Sequence, residues 1–213
     1  MKAPSSGKAV LAEPAGQVHP MMGEPVVTAD FVNVRGQEAC KRAFLIAITG
    51  CHPMVVFGPS GHGKSMMARA AKVIEPRLKV TEATTWVPDY TQAREQMRKS
   101  LHKMAVCGDI HIEVPALPFR ELVSKRPGTS STTMSDRVKG ARQYAALNPQ
   151  SMELSDDCLL LMRQAYEELG MNPRSFSTIA RIARTIANLE GEAKINACHL
   201  AEAVQYRLLD RKF

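Results

Sequence analysis

The sequence predicts an α/β fold in which a small domain of strands and helices is followed by an all-α domain of four helices. Three observations support this class. The apolar run 54–57 leads into a glycine-rich loop and then into a helical pattern. Residues 110–114 alternate between apolar and polar, which is typical of a strand. From residue 135 onward, apolar residues recur at helical spacing between capping residues.

The α/β domain is predicted over residues 28–123, after a flexible arm over 1–27 that is rich in proline and glycine. Gly50 is the expected stop of its first helix, and Pro76 ends the second. The elements predicted in this domain are a helix over 36–50, a strand over 54–57, a helix ending before Pro76, a strand over 80–86, a basic helix over 92–104 and a strand over 110–114.

A linker is predicted over 124–134, where serine and threonine accompany Pro127 and Gly128, and the helical domain is predicted over 135–213. Small polar residues ahead of apolar runs predict the helix starts. The four predicted helices are 136–147 capped by Ser135, one from Ser155 to Leu169 ended by Gly170, 174–189, and one capped by Asn196.

Composition excludes several classes of protein. The chain has 213 residues, of which 45% are hydrophobic, and its net charge is 28 − 21 = +7. No run of about 18 apolar residues is present, so no membrane-spanning helix is expected. The five cysteines are widely spread and form no C-x-x-C pair, which disfavours a disulfide framework or a zinc site and predicts a reducing, cytoplasmic location.

The segment after the strand 54–57 matches the phosphate-binding pattern G-x-x-x-x-G-K-[ST] in full. Glycines allow the backbone to fold around phosphate oxygens, and the following helix adds its positive dipole end. The lysine is expected at the β- and γ-phosphates and the serine at Mg²⁺, so ATP and Mg²⁺ are the predicted cofactors. The predicted binding residues are Gly58, Pro59, Ser60, Gly61, His62, Gly63, Lys64, Ser65 and Met66, with Ser65 also at the metal.

A second acidic site, which ATP hydrolysis requires, is not evident in the sequence. No apolar strand ending in Asp-Glu follows residue 65. The nearest candidate is Asp109, but Gly108 interrupts the run before it, and a surface or capping carboxylate is the preferred interpretation. The sequence therefore predicts nucleotide binding more strongly than hydrolysis.

Several segments together resemble the magnesium-chelatase-like AAA+ ATPases, and most closely their competence-linked and magnesium chelatase subunit I-like branch. The resemblance spans the motifs around the phosphate loop and the helical domain in the expected order. The segments are Asp30–Glu38 with Lys41–Ala43, His111–Pro115, Ser135–Arg142, Asn172–Phe176 with Ala183–Ala187, and His199–Ala203 with Tyr206 and Arg207.

The resemblance implies a reduced P-loop NTPase fold, with a three-layer core and a helical lid. It places Val34 and Gly36 beside the adenine, and Arg174 at the lid position that reaches the γ-phosphate. In this chain only residues 77–109 separate the second helix from the strand at Ile110. The acidic strand, sensor 1 and the arginine finger of the family therefore have no counterpart.

The favoured function is an ATP-binding protein with weak or absent hydrolysis and a regulatory or scaffolding role, acting with a protein partner or an AAA+ assembly. One alternative is an active ATPase that remodels protein or nucleic acid, with Asp109 or another acid at the metal. Another is a non-enzymatic interaction module with a vestigial loop. Nucleic-acid binding is a weaker possibility, since a solvated helix face is the preferred explanation of the basic run. That run comprises Arg94, Arg98, Lys99, His102 and Lys103, flanked by Trp86 and Tyr90.

Overall fold

A computed structural model describes residues 29–85, 100, 103–123, 128–149, 151–171 and 173–210. The predicted arm over 1–27 and most of the predicted helix over 92–104, with its flanking Trp86 and Tyr90, lie outside these residues. The strands are β1 (Met54–Gly58), β2 (Val80–Thr84) and β3 (Ile110–Glu113). The helices are α1 (Glu38–Gly50), α2 (Lys64–Ile74), α3 (Phe119–Leu122), α4 (Ser131–Leu147), α5 (Asp156–Leu169), α6 (Pro173–Glu190) and α7 (Ala197–Gln205), with 3₁₀ turns η1 (Phe31–Asn33) and η2 (Leu208–Asp210).

The sheet has three parallel strands in the order β2–β1–β3. Met54, the first residue of β1, pairs with Val80 on one side and Ile110 on the other. All five residues of β1 are buried, which explains its continuous apolar run. The central strand therefore delivers its last residue, Gly58, to the middle of the carboxyl edge, the edge at which the strands end. The opposite edge, where they begin, is the amino edge.

Helix α1 lies between the sheet and the C-terminal helices. All of its residues from Ala43 to Thr49 are buried, and it packs against α2, β3, α4 and α6. Phe44 meets Phe31 edge to face, with ring centroids 5.7 Å apart. One apolar cluster consequently runs from the sheet through α1 into the helical region, while Val55 and Phe57 form a smaller cluster on the other face. This is the predicted α/β core with an all-α C-terminal region.

The start of α4 differs from the prediction, because the helix begins at Ser131, inside the predicted linker. Ser135 is therefore not the N-cap. The cap is Ser130, whose Oγ accepts a hydrogen bond from the Thr133 N–H at 3.1 Å. The Ser131 N–H donates to Asp30 Oδ1 at 2.8 Å. Ser130 was an available cap in the sequence, whereas the contact with Asp30, about a hundred residues earlier in the chain, was not visible there.

The predicted caps at Ser155, Gly170 and Asn196 are confirmed, and α1 ends at Gly50 as predicted, although the left-handed residue after it is Cys51. Ser155 Oγ accepts from the Cys158 N–H, and Gly170 ends α5 in the left-handed region with φ of 61°. Asn196 and His199 form a capping box at the start of α7. Among the described residues, no helix has the length and apolarity needed to cross a membrane.

Candidate functional site

The loop that follows β1 turns at the carboxyl edge into α2. A Cβ on Gly58 would lie 2.3 Å from the Val114 carbonyl oxygen, so a side chain is excluded there. Gly61 and Gly63 have φ of 79° and 92°, in the region that glycine adopts without steric cost. Gly63 is the N-cap of α2, and no side chain in the described part of the chain caps this helix. The first-turn N–H groups and the helix dipole therefore favour an anion in the loop.

The Lys64 side chain occupies the loop itself. Its Nζ donates to the carbonyl oxygens of Gly58 at 2.9 Å and Pro59 at 2.6 Å, and the residue is 6% exposed. The His62 Nδ1 lies 2.7 Å from the Ser60 carbonyl oxygen and braces the tip of the loop. Two carbonyl oxygens of the predicted loop thus hold the Lys64 cation inside it, which is compatible with phosphate binding.

Ser65 contacts an acid that sequence reasoning missed. Its Oγ donates to Glu82 Oε2 at 2.5 Å. Glu82 lies on β2 and pairs with Val56 of the central strand. A hydroxyl and a carboxylate are the hard oxygen ligands that Mg²⁺ prefers, so this pair fits the cation expected at Ser65. The predicted strand 80–86 was the available signal, but its position next to β1 was not visible in the sequence.

A cleft of about 400 Å³ opens beside the loop. Val34 lies against the loop here, with its Cγ1 3.8 Å from the position of a Cβ on Gly63. Gly36 lines the adjoining larger cleft of about 1220 Å³. The smaller volume is within the range of small-ligand pockets. The residues lining it are Asn33, Val34, Arg35, Gln37, Gly61, His62, Gly63, Met66 and Leu117.

Asp109 does not belong to this site, so the alternative that it holds the metal beside Ser65 is wrong. It directly precedes Ile110, which pairs with the first residue of β1, whereas the loop follows the last one. The length of β1, about 13 Å at 3.3 Å per residue, separates the two positions. Burial alone would raise the pKa of Asp109, but His52 and Arg181 lower it below its ordinary value. Asp109 therefore serves as an ion-pair partner at the amino edge.

Arg174 also lies away from the loop. It is exposed in the first turn of α6, and the next residue, Ser175, donates to Asp210. Arg207 joins Asp210 to the carbonyl oxygen of Gly108, just before β3. The start of α6 is therefore anchored toward the amino edge, while the loop is at the carboxyl edge. Contact between Arg174 and a γ-phosphate stays a prediction, and it requires α6 to move.

His111, on β3, is a buried histidine at the amino edge. Its Nε2 lies 3.1 Å from the carbonyl oxygens of both Ala105 and Gly108, and its Nδ1 accepts from the Leu209 N–H at 3.3 Å. These contacts assign the neutral tautomer with hydrogen on Nε2. Burial, with Arg207 nearby, lowers the pKa of His111 to about 4.

Acid is expected to destabilise the protein through His111. Between pH 6.5 and about 4 the unfolded chain takes up a proton that the folded His111 does not, so the free energy of unfolding falls as the pH falls through this window. Urea denaturation across the window measures the slope. His111→Asn should reduce this slope, whereas His62→Asn, at the tip of the loop, should not. Equal slopes in all three proteins would contradict this assignment.

A parallel sheet whose central strand runs through this glycine-rich loop into a helix is the P-loop arrangement of nucleotide-binding proteins. The comparison with known families agrees with that class. The family model described as Magnesium chelatase, subunit ChlI, matches residues 30–115. The model described as Magnesium chelatase, subunit ChlI C-terminal, matches residues 128–207. The chain therefore belongs to the magnesium-chelatase-like family, as its motifs predicted.

Three individual relatives are also similar to this chain. The chain is 33% identical over 117 residues to competence protein ComM of Haemophilus influenzae. It is 35% identical over 118 residues to the uncharacterized protein YifB of Escherichia coli, and 40% identical over 118 residues to YifB of Salmonella typhimurium. Each match covers 48% of this chain and 23% of the relative. The aligned part is thus less than a quarter of each relative's length.

Proposed function

We propose that this protein binds ATP with Mg²⁺ in the loop from Gly58 to Ser65, and that the bound state, rather than rapid hydrolysis, carries its function. The observation that supports this most directly is Lys64, whose Nζ lies 2.9 Å and 2.6 Å from two carbonyl oxygens of the loop. These carbonyl contacts hold the cation where a phosphate oxygen can replace them. Membership of the magnesium-chelatase-like family supports the same assignment.

Each part of the site has a defined task in this proposal. The loop N–H groups and the amino end of α2 bind phosphate oxygens, and Lys64 turns from the carbonyls toward the β- and γ-phosphates. Ser65 ligates Mg²⁺, which when bound neutralises charge on the phosphates. The base lies in the cleft beside Val34 and Met66. Gly36, two residues after Val34, lines the adjoining cleft and is the second residue proposed beside the base.

Slow or absent hydrolysis is the second part of the proposal. Rapid phosphoryl transfer uses an arginine at the γ-phosphate in addition to the loop lysine and Mg²⁺. Arg174, the expected lid cation, is anchored toward the amino edge by its neighbour Ser175. Asp109 lies at that edge too. The proposal therefore assigns efficient turnover, if it occurs in the cell, to residues supplied by a partner chain.

The biological role proposed is regulatory or scaffolding, in the cytoplasm, beside a protein partner or an AAA+ assembly. Membership of the magnesium-chelatase-like family supports an AAA+ assembly as the partner. Direct binding of nucleic acid stays a weaker prediction, because most of the basic run that suggested it lies outside the described residues.

Thermal unfolding with and without Mg²⁺-ATP tests the binding proposal. A ligand at 100 times its Kd stabilises the folded state by about 2.7 kcal/mol, which raises Tm by roughly 5–11 °C in a chain of this size. Lys64→Ala should lose this shift. Lys72→Ala, an exposed lysine on the same helix, should keep it.

The outcomes separate the competing functions. A shift of equal size in Lys64→Ala would place the nucleotide elsewhere, and no shift in the wild type would contradict the proposal and favour an interaction module. Rapid ATP turnover by the purified protein would leave the binding site intact but overturn the claim of slow hydrolysis.

A further inference from the structure

The contact between Ser65 and Glu82 brings an acid from a neighbouring strand to the start of α2. Ser65 Oγ and Glu82 Oε2 are 2.5 Å apart. Glu82 is the third residue of β2 and lies opposite Val56 in the parallel pairing of β2 with β1. Its side chain therefore shares a face of the sheet with Val56, the face that α1 and α2 cover.

The distance between Ser65 Oγ and Glu82 Oε2 is compatible with both oxygens binding the same metal ion. Mg²⁺ binds oxygen at 2.0–2.1 Å in octahedral geometry, so two adjacent ligands are about 2.9 Å apart. The observed separation of 2.5 Å is close to this value. A small outward shift of either side chain lets both oxygens face one cation, and the hydrogen bond between them is replaced by two metal bonds.

The other acids near the sheet lack this placement. Glu113, on β3, flanks the central strand at the same edge and pairs with Phe57. Within the described part of the chain, however, no hydrogen bond or ion pair joins Glu113 to the loop. Asp109 is at the amino edge. Glu82 is thus the described carboxylate in hydrogen-bond contact with the predicted metal ligand.

Within the described part of the chain, no structural role of Glu82 explains this contact. It is exposed on an edge strand, and a single exposed hydrogen bond of this kind contributes little to stability. The carboxylate places negative charge beside the loop, where it would repel the phosphates of a bound nucleotide. A divalent cation removes that repulsion, because it binds both the carboxylate and the phosphates.

We infer that Glu82 is the magnesium-ligating acid of this site and acts together with Ser65. This inference rests on the proposed function, namely that the loop binds a nucleotide. It names a magnesium ligand in a chain whose sequence shows no apolar strand ending in Asp-Glu. An exposed residue of β2 performs the task because β2 is the direct neighbour of β1.

Calorimetric titration with ATP, in Mg²⁺ and in EDTA, tests the inference on the full chain. Wild type should bind ATP at least about tenfold more tightly with Mg²⁺. Glu82→Gln keeps the size of the side chain but removes its charge, and it should lose that advantage while still binding ATP in EDTA. Glu113→Gln makes the same charge change at the same edge and should keep the advantage.

A second readout follows the metal directly. Mn²⁺ bound in the presence of ADP can be detected by electron paramagnetic resonance, and Glu82→Gln should lose this signal. A Mg²⁺ advantage that persists in Glu82→Gln, or an equal loss in Glu113→Gln, would overturn the role of Glu82 and leave the nucleotide site standing. Absence of ATP binding to the wild type under both conditions would overturn the proposed function and this inference with it.

Discussion

Arg207→Met is expected to lower the free energy of unfolding by about 4 kcal/mol, because it leaves a buried carboxylate without its cation. The Arg207 guanidinium contacts Asp210 Oδ2 at 2.7 Å through Nε. It also donates to the carbonyl oxygens of Gly108 at 2.7 Å and Asp109 at 2.8 Å. Arg207 and Asp210 are 6% and 8% exposed. Their pairing fixes η2 and the start of α6 to the amino edge of the sheet.

Chemical denaturation of matched variants measures this effect. Arg163→Met removes an exposed arginine from its ion pair with Glu167 and should leave the unfolding midpoint unchanged. The double variant Arg207→Met with Asp210→Asn should be more stable than Arg207→Met alone, because the uncompensated charge is the main cost. A loss in Arg207→Met no larger than in Arg163→Met would show that the buried pair does not hold this junction.

Arg142→Met is expected to cost about 2 kcal/mol, because one partly exposed side chain from α4 satisfies three acceptors of the α/β region. Arg142 donates to the carbonyl oxygens of Ile48 at 2.6 Å and Thr49 at 3.1 Å, at the carboxyl end of α1. It also meets Glu75 Oε2 at 2.7 Å. Hydrogen bonds from Arg77 and Arg142 lower the pKa of Glu75 to about 2. Removing Arg142 leaves this buried carboxylate and the helix end with fewer partners.

The control for Arg142 is Lys139→Met, which removes an exposed cation from the same helix and should not change stability. Glu75→Gln in the Arg142→Met background should recover part of the loss, because the charge left behind is then neutral. Both are measured by the urea midpoint at neutral pH. If Arg142→Met unfolds like the wild type, the contact of α4 with α1 depends on apolar packing alone.

Most of the local structure could be predicted from the sequence. The strand 54–57, the glycine-rich loop and the caps at Ser155, Gly170 and Asn196 depend on residues within a few positions of each other, and all are present. The start of α4 was placed five residues too late, because Ser135 was chosen as the cap instead of Ser130. The contact of the Ser131 N–H with Asp30 also supports this start, and it forms only after the chain has folded.

The sequence by itself determined the phosphate-binding pattern, the α/β core with its helical region, and the family. These follow from short-range residue patterns, which act through backbone conformation and local burial. Only the tertiary structure decided which acid meets Ser65 and where Asp109 and Arg174 lie. Strand order sets those positions, and strand order depends on how distant segments bury one another's apolar faces. Glu82 therefore lies at the loop because β2 packs beside β1, while Asp109 precedes the strand on its other side.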